Sequence, residues 1–239
     1  MSSESRRVTL GTEAIEYEVT ESPNATEPRI DVDIHGVTVV LPEDDNTDPK
    51  QLLHENHRWV LDKRAKYKTY REEAPERRFE SGETFPYLGE PHKVAVERRP
   101  ASEVMEGELR LAQHHVQQTS VRQALESLYR RKARERFEDC ADNFAAQMHV
   151  EYEEIEIRNQ RTKWGSCSST GTLGLNWRLM MAPPEVIDYV VIHELAHLQE
   201  PNHTKGFWRL VGEYDPEYAN HADWLDENST QLIFSDEDL

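Results

Sequence analysis

Residues 182–208 read APPEVIDYVVIHELAHLQEPNHTKGFW, a run that predicts an α-helix followed by a tight turn. Pro183 and Pro184 are tolerated in the first turn of a helix but not in its interior. Glu185 places a negative charge where the helix dipole favours it. Apolar residues then recur at helical spacing over 186–198. Pro201 cannot continue the helix, so we expect the chain to turn at this point.

Two histidines four residues apart on this helix predict a metal site. His193 and His197 project from one face, a turn apart, and match two corners of a tetrahedral zinc site. Glu194 lies beside them, where its carboxylate can reach a metal-bound water without ligating the metal. The turn brings back His203, and three protein ligands with one open position are typical of catalytic zinc. A buried helix with ordinary hydrogen-bonded histidines is the alternative, and the third histidine favours the metal.

The predicted cofactor is therefore one Zn²⁺ per chain. Its ligands are His193, His197 and His203, and Glu194 acts as general base and acid toward a metal-activated water. Glu213 is the alternative third ligand if His203 turns away. Three further residues are candidates for stabilising the transition state: Tyr214, Tyr218 and His221.

Residues upstream of the helix offer weaker candidates. Arg161, Lys163 and Arg178 would suit a carboxylate or a phosphate, so they do not discriminate between substrates. Cys167 is paired with no activating base in the sequence. We therefore assign Cys167 to a turn or to packing rather than to nucleophilic catalysis.

The chain is strongly acidic, with 46 acidic against 28 basic residues and a net charge of −18. Such a field repels nucleic acid and anionic membranes, so we expect neither as a partner. The basic side is 20 Arg to 8 Lys. An acidic, lysine-poor surface resembles that of proteins working in concentrated salt, where repulsion is screened within a few ångströms. We expect a halophilic archaeal source, with an acidic mesophilic protein as the alternative.

Cysteine content and hydropathy indicate the compartment. Cys140 and Cys167 are too few for a disulfide framework. The opening MSSESRRVTL has no apolar core and is not a secretory signal. No apolar run approaches the roughly 18 residues of a membrane helix. We therefore expect a soluble, cytoplasmic protein.

The rest of the chain alternates between strand and helix periodicity. His35-Gly36 is predicted to be the hairpin turn within residues 30–41. The predicted elements are strands over 12–19 and 30–41, a helix over 49–72, a small antiparallel meander over 80–115, a long helix over 120–148, strands over 155–159 and 173–180, and two helices after residue 203.

Several motifs of the C-terminal half resemble those of a known family. They are WGSC at 164–167, NWRL at 176–179, APP at 182–184, YVVIHELAH at 189–197, and NH through FW over 202–208. Together they resemble the YgjP-like metallopeptidase family, which is akin to the SprT-like and WLM zinc proteases. The resemblance is dense over 155–225 and looser upstream. The histidine spacing also equals that of metzincins, but Glu200-Pro201 replaces their glycine turn, so we do not assign that clan.

The resemblance implies an α+β fold with a zincin-like catalytic core, whose HExxH helix follows a β-rich N-terminal region and a long helix. On this basis residues 1–118 form the N-terminal region with one helix, and residues 119–239 form the metallopeptidase domain. It implies a zinc metallopeptidase acting on peptides or unfolded protein, with His193, His197 and His203 as ligands and Glu194 as catalytic acid and base. We expect the strand over 173–180 to offer its free edge to the peptide.

Two other functions compete with peptide hydrolysis. Some YgjP-like members carry a nucleotide-pyrophosphatase label, so a metal-dependent nucleoside triphosphate pyrophosphatase using the same site is the alternative. The sequence shows no P-loop or clustered carboxylate motif for Mg²⁺, which favours the peptidase. The third hypothesis is a non-catalytic binding module with a structural metal. It is disfavoured because a structural metal site has no use for the Glu194 carboxylate.

Overall fold

The computed structural model describes residues 4–22, 25, 27–33, 36–43, 45–160 and 163–235. The chain divides into two compact units, the first ending at Ala74 and the second beginning at Pro75. Both units combine sheet and helix, so the fold class is α+β, as predicted. Within the described residues, no helix has the length and hydropathy needed to cross a membrane.

The first unit is a four-stranded sheet followed by two helices. Its strands are β1 (Glu4–Leu10), β2 (Glu13–Ser22), β3 (Arg29–Asp33) and β4 (Gly36–Pro42). Their order is β1-β2-β4-β3, in which β2 and β4 are parallel and the other pairs antiparallel. The predicted antiparallel pairing is present, but Gly36, predicted to be in the turn, is the first residue of β4 and pairs with Asp33. His35 lies outside the described residues.

The predicted helix over 49–72 is two helices, α1 (Pro49–Glu55) and α2 (His57–Glu73). Asn56 separates them because its side-chain amide donates to the carbonyl of Leu52 at 2.9 Å and ends the first helix. The core of this unit lies between the sheet and the helices, where Leu53 and Val60 pack with strand residues such as Val39.

The second unit begins with another four-stranded sheet. Its strands are β5 (Thr84–Tyr87), β6 (Glu90–Glu97), β7 (Glu103–Met105) and β8 (Glu108–Ala112), in the order β5-β6-β8-β7. The prediction of an antiparallel meander was wrong in one pairing, because β6 and β8 are parallel. The β7–β8 hairpin sets β8 beside β6 with β7 on the outside. The first sheet has the same connectivity.

A long helix, α4 (Val121–Met148), follows the short helix α3 (Gln113–Gln118). Ser120 caps α4, its hydroxyl accepting from the amide of Gln123 at 3.1 Å. The buried face of α4 shares one core with the preceding sheet, in which Phe85 and Leu109 join Leu125. The predicted domain boundary at residue 118 runs through this core, whereas the compact units divide at Ala74 and Pro75.

A three-stranded sheet leads to the helix that carries the candidate site. Its strands are β9 (Glu154–Arg158), β10 (Gly165–Cys167) and β11 (Thr172–Asn176), in the order β10-β11-β9. The strand predicted over 173–180 ends at Asn176, whose side chain accepts from the amide of Arg178 at 3.1 Å and starts a 3₁₀ helix, Trp177–Met181. Because β11 is paired on both sides, the edge strands of this sheet are β10 and β9, and the expected free edge on β11 was wrong.

The remaining elements are helical: α5 (Pro184–Ala196), α6 (Lys205–Tyr214), α7 (Tyr218–Asn228) and a 3₁₀ turn (Ser229–Leu232). Pro184 occupies the first turn of α5 and Glu185 follows it, as predicted. Beyond the last turn, Phe234 is buried in a cluster of aromatic rings. Ring centroids lie 5.1 Å from it for Phe79 and 4.9 Å for Trp177.

Replacing Phe234 with alanine should destabilise the second unit. Its side chain is 1% exposed and also contacts the rings of Phe85 and Tyr129. Truncating a buried phenylalanine leaves a cavity, so we expect a loss of about 3–5 kcal/mol in the free energy of unfolding. Urea unfolding followed by near-ultraviolet circular dichroism measures it. Met105→Ala is the control, because Met105 is 44% exposed, and a change of less than about 0.5 kcal/mol is expected there.

Candidate metal centre

Helix α5 presents the first two candidate ligands at its C-terminal end. His193 lies in the last turn, and His197 is the residue that caps the helix. The opposite face of α5 is buried, with Ile187, Val191 and Leu195 at no more than 1% exposure. Burial of that face fixes the rotation of the helix, so both imidazoles are directed away from the core.

A tight turn returns the chain to the end of α5. The amide of Glu200 donates to the carbonyl of Ala196 at 2.9 Å, and Pro201 then ends helical geometry. Thr204 opens α6, its hydroxyl accepting from the amides of Gly206 at 3.1 Å and Phe207 at 3.4 Å. The residue just before this cap is His203, so the start of α6 determines where its imidazole lies.

The structure brings the three predicted ligands together. One nitrogen from each of His193, His197 and His203 lies within 4.8 Å of the other two. The Nε2 atoms of His193 and His203 are 3.0 Å apart. The ring of His197 lies 5.1 Å from that of His193 and 4.7 Å from that of His203, centroid to centroid. Within the described part of the chain, this is the group of side chains arranged to hold a metal ion.

The surroundings of two of these imidazoles favour the neutral form, in which a ring nitrogen can donate its lone pair to a metal ion. The Nδ1 of His197 lies 3.3 Å from the carbonyl oxygen of Glu200, which fixes the proton on Nδ1 and leaves the Nε2 lone pair free. Burial, together with the nearby His197 and His203, lowers the pKa of His193 to about 4. His193 is therefore neutral at physiological pH. Its Nδ1 is buried and meets no hydrogen-bond partner among the described residues.

One phenylalanine packs against all three candidate ligands. Phe207, fully buried on α6, has its ring centroid 4.9 Å from that of His193, 4.6 Å from that of His197 and 4.7 Å from that of His203. Trp208 stacks on His203 at 5.6 Å. These rings restrict the imidazoles to a small set of rotamers, so the ligand geometry is preorganised by packing.

Glu194 lines the same cleft as the three histidines but does not belong to their cluster. It is 6% exposed. Burial raises the pKa of its carboxyl to about 7, while the positive charge of Lys163 works in the opposite direction. A carboxyl group with a pKa near neutrality can both accept and return a proton, which is the property that acid–base catalysis requires.

The histidines and Glu194 open onto one cleft of about 650 Å³. All three residues of the edge strand β10, Gly165, Ser166 and Cys167, form one wall of it. Lys163 lies at the same wall, and Leu198 and Pro201 belong to the turn after α5. The site therefore lies between the end of a helix and the unpaired edge of a sheet.

The candidates for transition-state stabilisation do not line this cleft in the described structure. Tyr214 donates its hydroxyl to the carbonyl of Gln147 at 3.3 Å. Tyr218 stacks on Trp208 at 5.4 Å between centroids. The Nδ1 of His221 lies 2.8 Å from Asp215 Oδ2, and its ring centroid lies 6.4 Å from that of Tyr189.

The alternative ligand Glu213 and the flanking residue Arg178 have other surroundings. Glu213 is exposed on α6 and does not belong to the histidine cluster. Arg178 is buried, its guanidinium bonded to Asn159 at 2.8 Å and lying over the ring of Trp177, so it supports the sheet and not the site. Arg161 lies outside the described residues.

Cys167 lines the cleft, but its environment opposes reactivity. Burial raises the pKa of its thiol to about 11, and the negative charge of Glu194 adds to the increase. The thiol is therefore protonated at neutral pH and is a weak nucleophile. This agrees with the packing role expected from the sequence.

The residues present fit a zinc ion. Three neutral imidazoles are a donor set that zinc prefers, and tetrahedral coordination with Zn–N bonds of about 2.0–2.1 Å places ligand nitrogens about 3.3 Å apart. The observed 3.0 Å between His193 and His203 is close to that spacing. Because the third nitrogen also lies within reach, binding one ion requires only small side-chain movements.

Two contributors to the site were missed by the sequence analysis. Phe207 was noted only within a motif, yet it touches every candidate ligand. Its place in the first turn of α6, directly after the segment that carries His203, is the signal that could have identified it. Gly165 was noted only within a motif, and its contact with Glu194 is a long-range feature that no local pattern shows.

Comparison with known proteins identifies the family. The YgjP-like, metallopeptidase domain family model matches residues 26–228, most of the chain. The chain belongs to the YgjP-like metallopeptidase family. This YgjP-like protein is thus a metallopeptidase, and the resemblance found in its sequence is confirmed. A search of the curated proteins finds no match.

Two solved structures are similar to part of this YgjP-like chain. One is the metallopeptidase zymogen abylysin of Pyrococcus abyssi, with 26% identity and a TM-score of 0.35 over 37% of this chain and 90% of that one. The other is the metallopeptidase zymogen jannalysin of Methanocaldococcus jannaschii, with 24% identity and a TM-score of 0.35 over 38% and 88%. Both alignments cover little more than a third of this chain, so the assignment rests on the family model.

Zinc content tests the centre directly. Protein freed of any histidine tag should bind one zinc ion per chain, and His203→Ala should weaken the affinity by more than about 100-fold, because losing a ligand costs at least as much as losing its outer partner. Elemental analysis and competition with a chromogenic chelator measure both. His92→Ala is the control, since the Nδ1 of His92 faces the carbonyl of Glu90 away from the cluster. Equal affinity in the two variants would contradict the assignment of His203.

Proposed function

We propose that this protein is a zinc-dependent metallopeptidase that hydrolyses peptide bonds, with Glu194 as general base and then general acid. The observation that carries the proposal is the convergence of three imidazoles beside a buried carboxyl group at one cleft. We assign His193, His197 and His203 as the zinc ligands. A helix carrying HELAH beside a small sheet, with the edge strand lining the cleft, also supports a zincin-like core.

The chain supplies proton transfer, and the bound zinc supplies Lewis acidity, which polarises a carbonyl and lowers the pKa of a bound water. Glu194 takes the proton of the attacking water and later delivers it to the leaving amine. A carboxyl whose pKa lies near 7 in the protein can do both at neutral pH. Its burial also keeps bulk water away, so the proton is not lost to solvent.

The edge strand provides a means of aligning a peptide. Strand β10 pairs with β11 on one side only, and its residues line the cleft that contains Glu194. An extended substrate can add to that edge through main-chain hydrogen bonds, which place the scissile carbonyl without requiring a particular side chain. This role replaces the one expected for the strand over 173–180. Unfolded protein or flexible peptides are therefore the proposed substrates.

Glu194→Gln should retain zinc and lose peptidase activity. The amide keeps the shape of the side chain but cannot accept a proton, so we expect kcat to fall by at least about 10²–10⁴-fold. Cleavage of a casein-type unfolded protein and of a quenched fluorescent peptide library measures activity, and elemental analysis measures zinc. Glu185→Gln, an exposed change in the first turn of the same helix, is the control and should leave kcat unchanged.

Two results would contradict this proposal. Full peptide cleavage by Glu194→Gln would remove the catalytic carboxylate from the mechanism. Release of pyrophosphate from nucleoside triphosphates by the wild-type protein, abolished in Glu194→Gln and unaccompanied by peptide cleavage, would assign the same site to nucleotide hydrolysis instead.

A further inference from the structure

The Glu194 side chain packs against the backbone of Gly165 on the edge strand. A methyl group added at Gly165 would lie 2.7 Å from the Cγ and 2.8 Å from the Cδ of Glu194, and nearer still to its Oε1. Real side-chain carbons essentially never approach other heavy atoms so closely. The absence of a side chain at residue 165 is therefore what makes room for the carboxyl group in its observed place.

The backbone does not account for this glycine. The φ angle of Gly165 lies outside the left-handed region, unlike that of Gly171 in the following turn, where φ is +90°. An L-amino acid could adopt the backbone conformation of residue 165 without strain. The requirement for glycine comes from the opposing side chain alone.

Among the described residues, no hydrogen bond holds the Glu194 carboxyl group in place. The carboxyl accepts none from another described protein group, although the residue is only 6% exposed. Its position is determined by packing, with α5 fixing its Cα and β10 limiting the carboxylate on the cleft side. A side chain held only by contacts moves when one of those contacts changes.

We propose that Gly165 is a positioning residue for the general base: its bare backbone holds the Glu194 carboxylate at the distance from the three histidines that proton transfer requires. An added Cβ forces the carboxylate into another rotamer. Residue 165 does not belong to the three-histidine group, so we expect zinc binding to be unaffected. The inference rests on the proposed catalytic role of Glu194.

The test is Gly165→Ala in the full-length zinc protein. A displacement of about 1 Å in a catalytic group costs roughly 100-fold, and we expect that loss in kcat. Because the substituent points at Glu194, KM for a fluorescent peptide and the affinity for zinc should each change by less than about threefold. A change of kcat with constant KM and constant zinc affinity is not the signature of general destabilisation.

A shorter acid at residue 194 separates positioning from structure. Glu194→Asp removes a methylene, so its carboxylate no longer fills the space beside residue 165. Adding Gly165→Ala to Glu194→Asp should lower kcat by less than about threefold, against roughly 100-fold in the wild-type background. If Gly165→Ala alone folds poorly, the double variant Gly165→Ala/Glu194→Asp should fold normally. The loss of folding and the loss of kcat would both arise from the one contact between residues 165 and 194.

Gly174→Ala is the matched control in the same sheet. There an added methyl would meet Ser166 Oγ at 2.7 Å and Arg158 Cγ at 3.2 Å, both on side chains that can rotate away. We expect its kcat within about threefold of wild type, because the clash can relax without moving Glu194. An equal loss in Gly174→Ala and Gly165→Ala would overturn the inference, since any methyl in this sheet would then be sufficient.

Three other outcomes would overturn the positioning role of Gly165, and the last would also overturn the proposed function. Wild-type kcat in Gly165→Ala, together with the expected loss in Glu194→Gln, would overturn the positioning role and leave the proposed function standing. Losses that multiply in Gly165→Ala/Glu194→Asp would also overturn it. Full activity of Glu194→Gln would overturn the proposed function and this inference together.

Discussion

The site depends on bringing nitrogen lone pairs of three imidazole rings to one point. His193 and His203 approach to 3.0 Å between Nε2 atoms. Such an arrangement is unfavourable when the rings are protonated, because like charges then meet in a poorly solvated place. It becomes favourable when a cation is shared between the lone pairs. The surrounding protein must therefore hold the rings together before the ion arrives, and most of the nearby structure serves that purpose.

Three neighbouring elements provide this support by different means. The buried face of α5 fixes the direction of two histidines, and the Thr204 cap of α6 fixes the third. Phe207 then packs against all of them from the same helix that follows the turn. Strand β10 closes the opposite side, where Gly165 meets the Glu194 carboxyl group. The proposed ligands, general base and substrate-binding edge are thus arranged by contacts between segments distant in sequence.

The sequence predicted local features of this site well and long-range ones poorly. Helical spacing, the prolines before Glu185 and the turn at Pro201 are short-range signals, and each element they predicted is present. The strand beyond Asn176 was wrong because alternating apolar residues also suit a buried 3₁₀ turn. Strand order, and with it the identity of the free edge, depends on pairing between segments and is not encoded in periodicity. The close contact between Gly165 and Glu194 also joins distant segments, so periodicity does not predict it.

The aromatic cluster around Phe234 has a consequence for the order of folding. Phe85 and Phe234 are in contact yet separated by 149 residues in the chain (234 − 85). During synthesis the first sheet of the second unit therefore emerges long before its last aromatic partner. Contacts that close such long loops are slow to form. Until they do, Phe79 and Trp177 keep apolar surface exposed, which leaves the nascent chain open to chaperones and to aggregation.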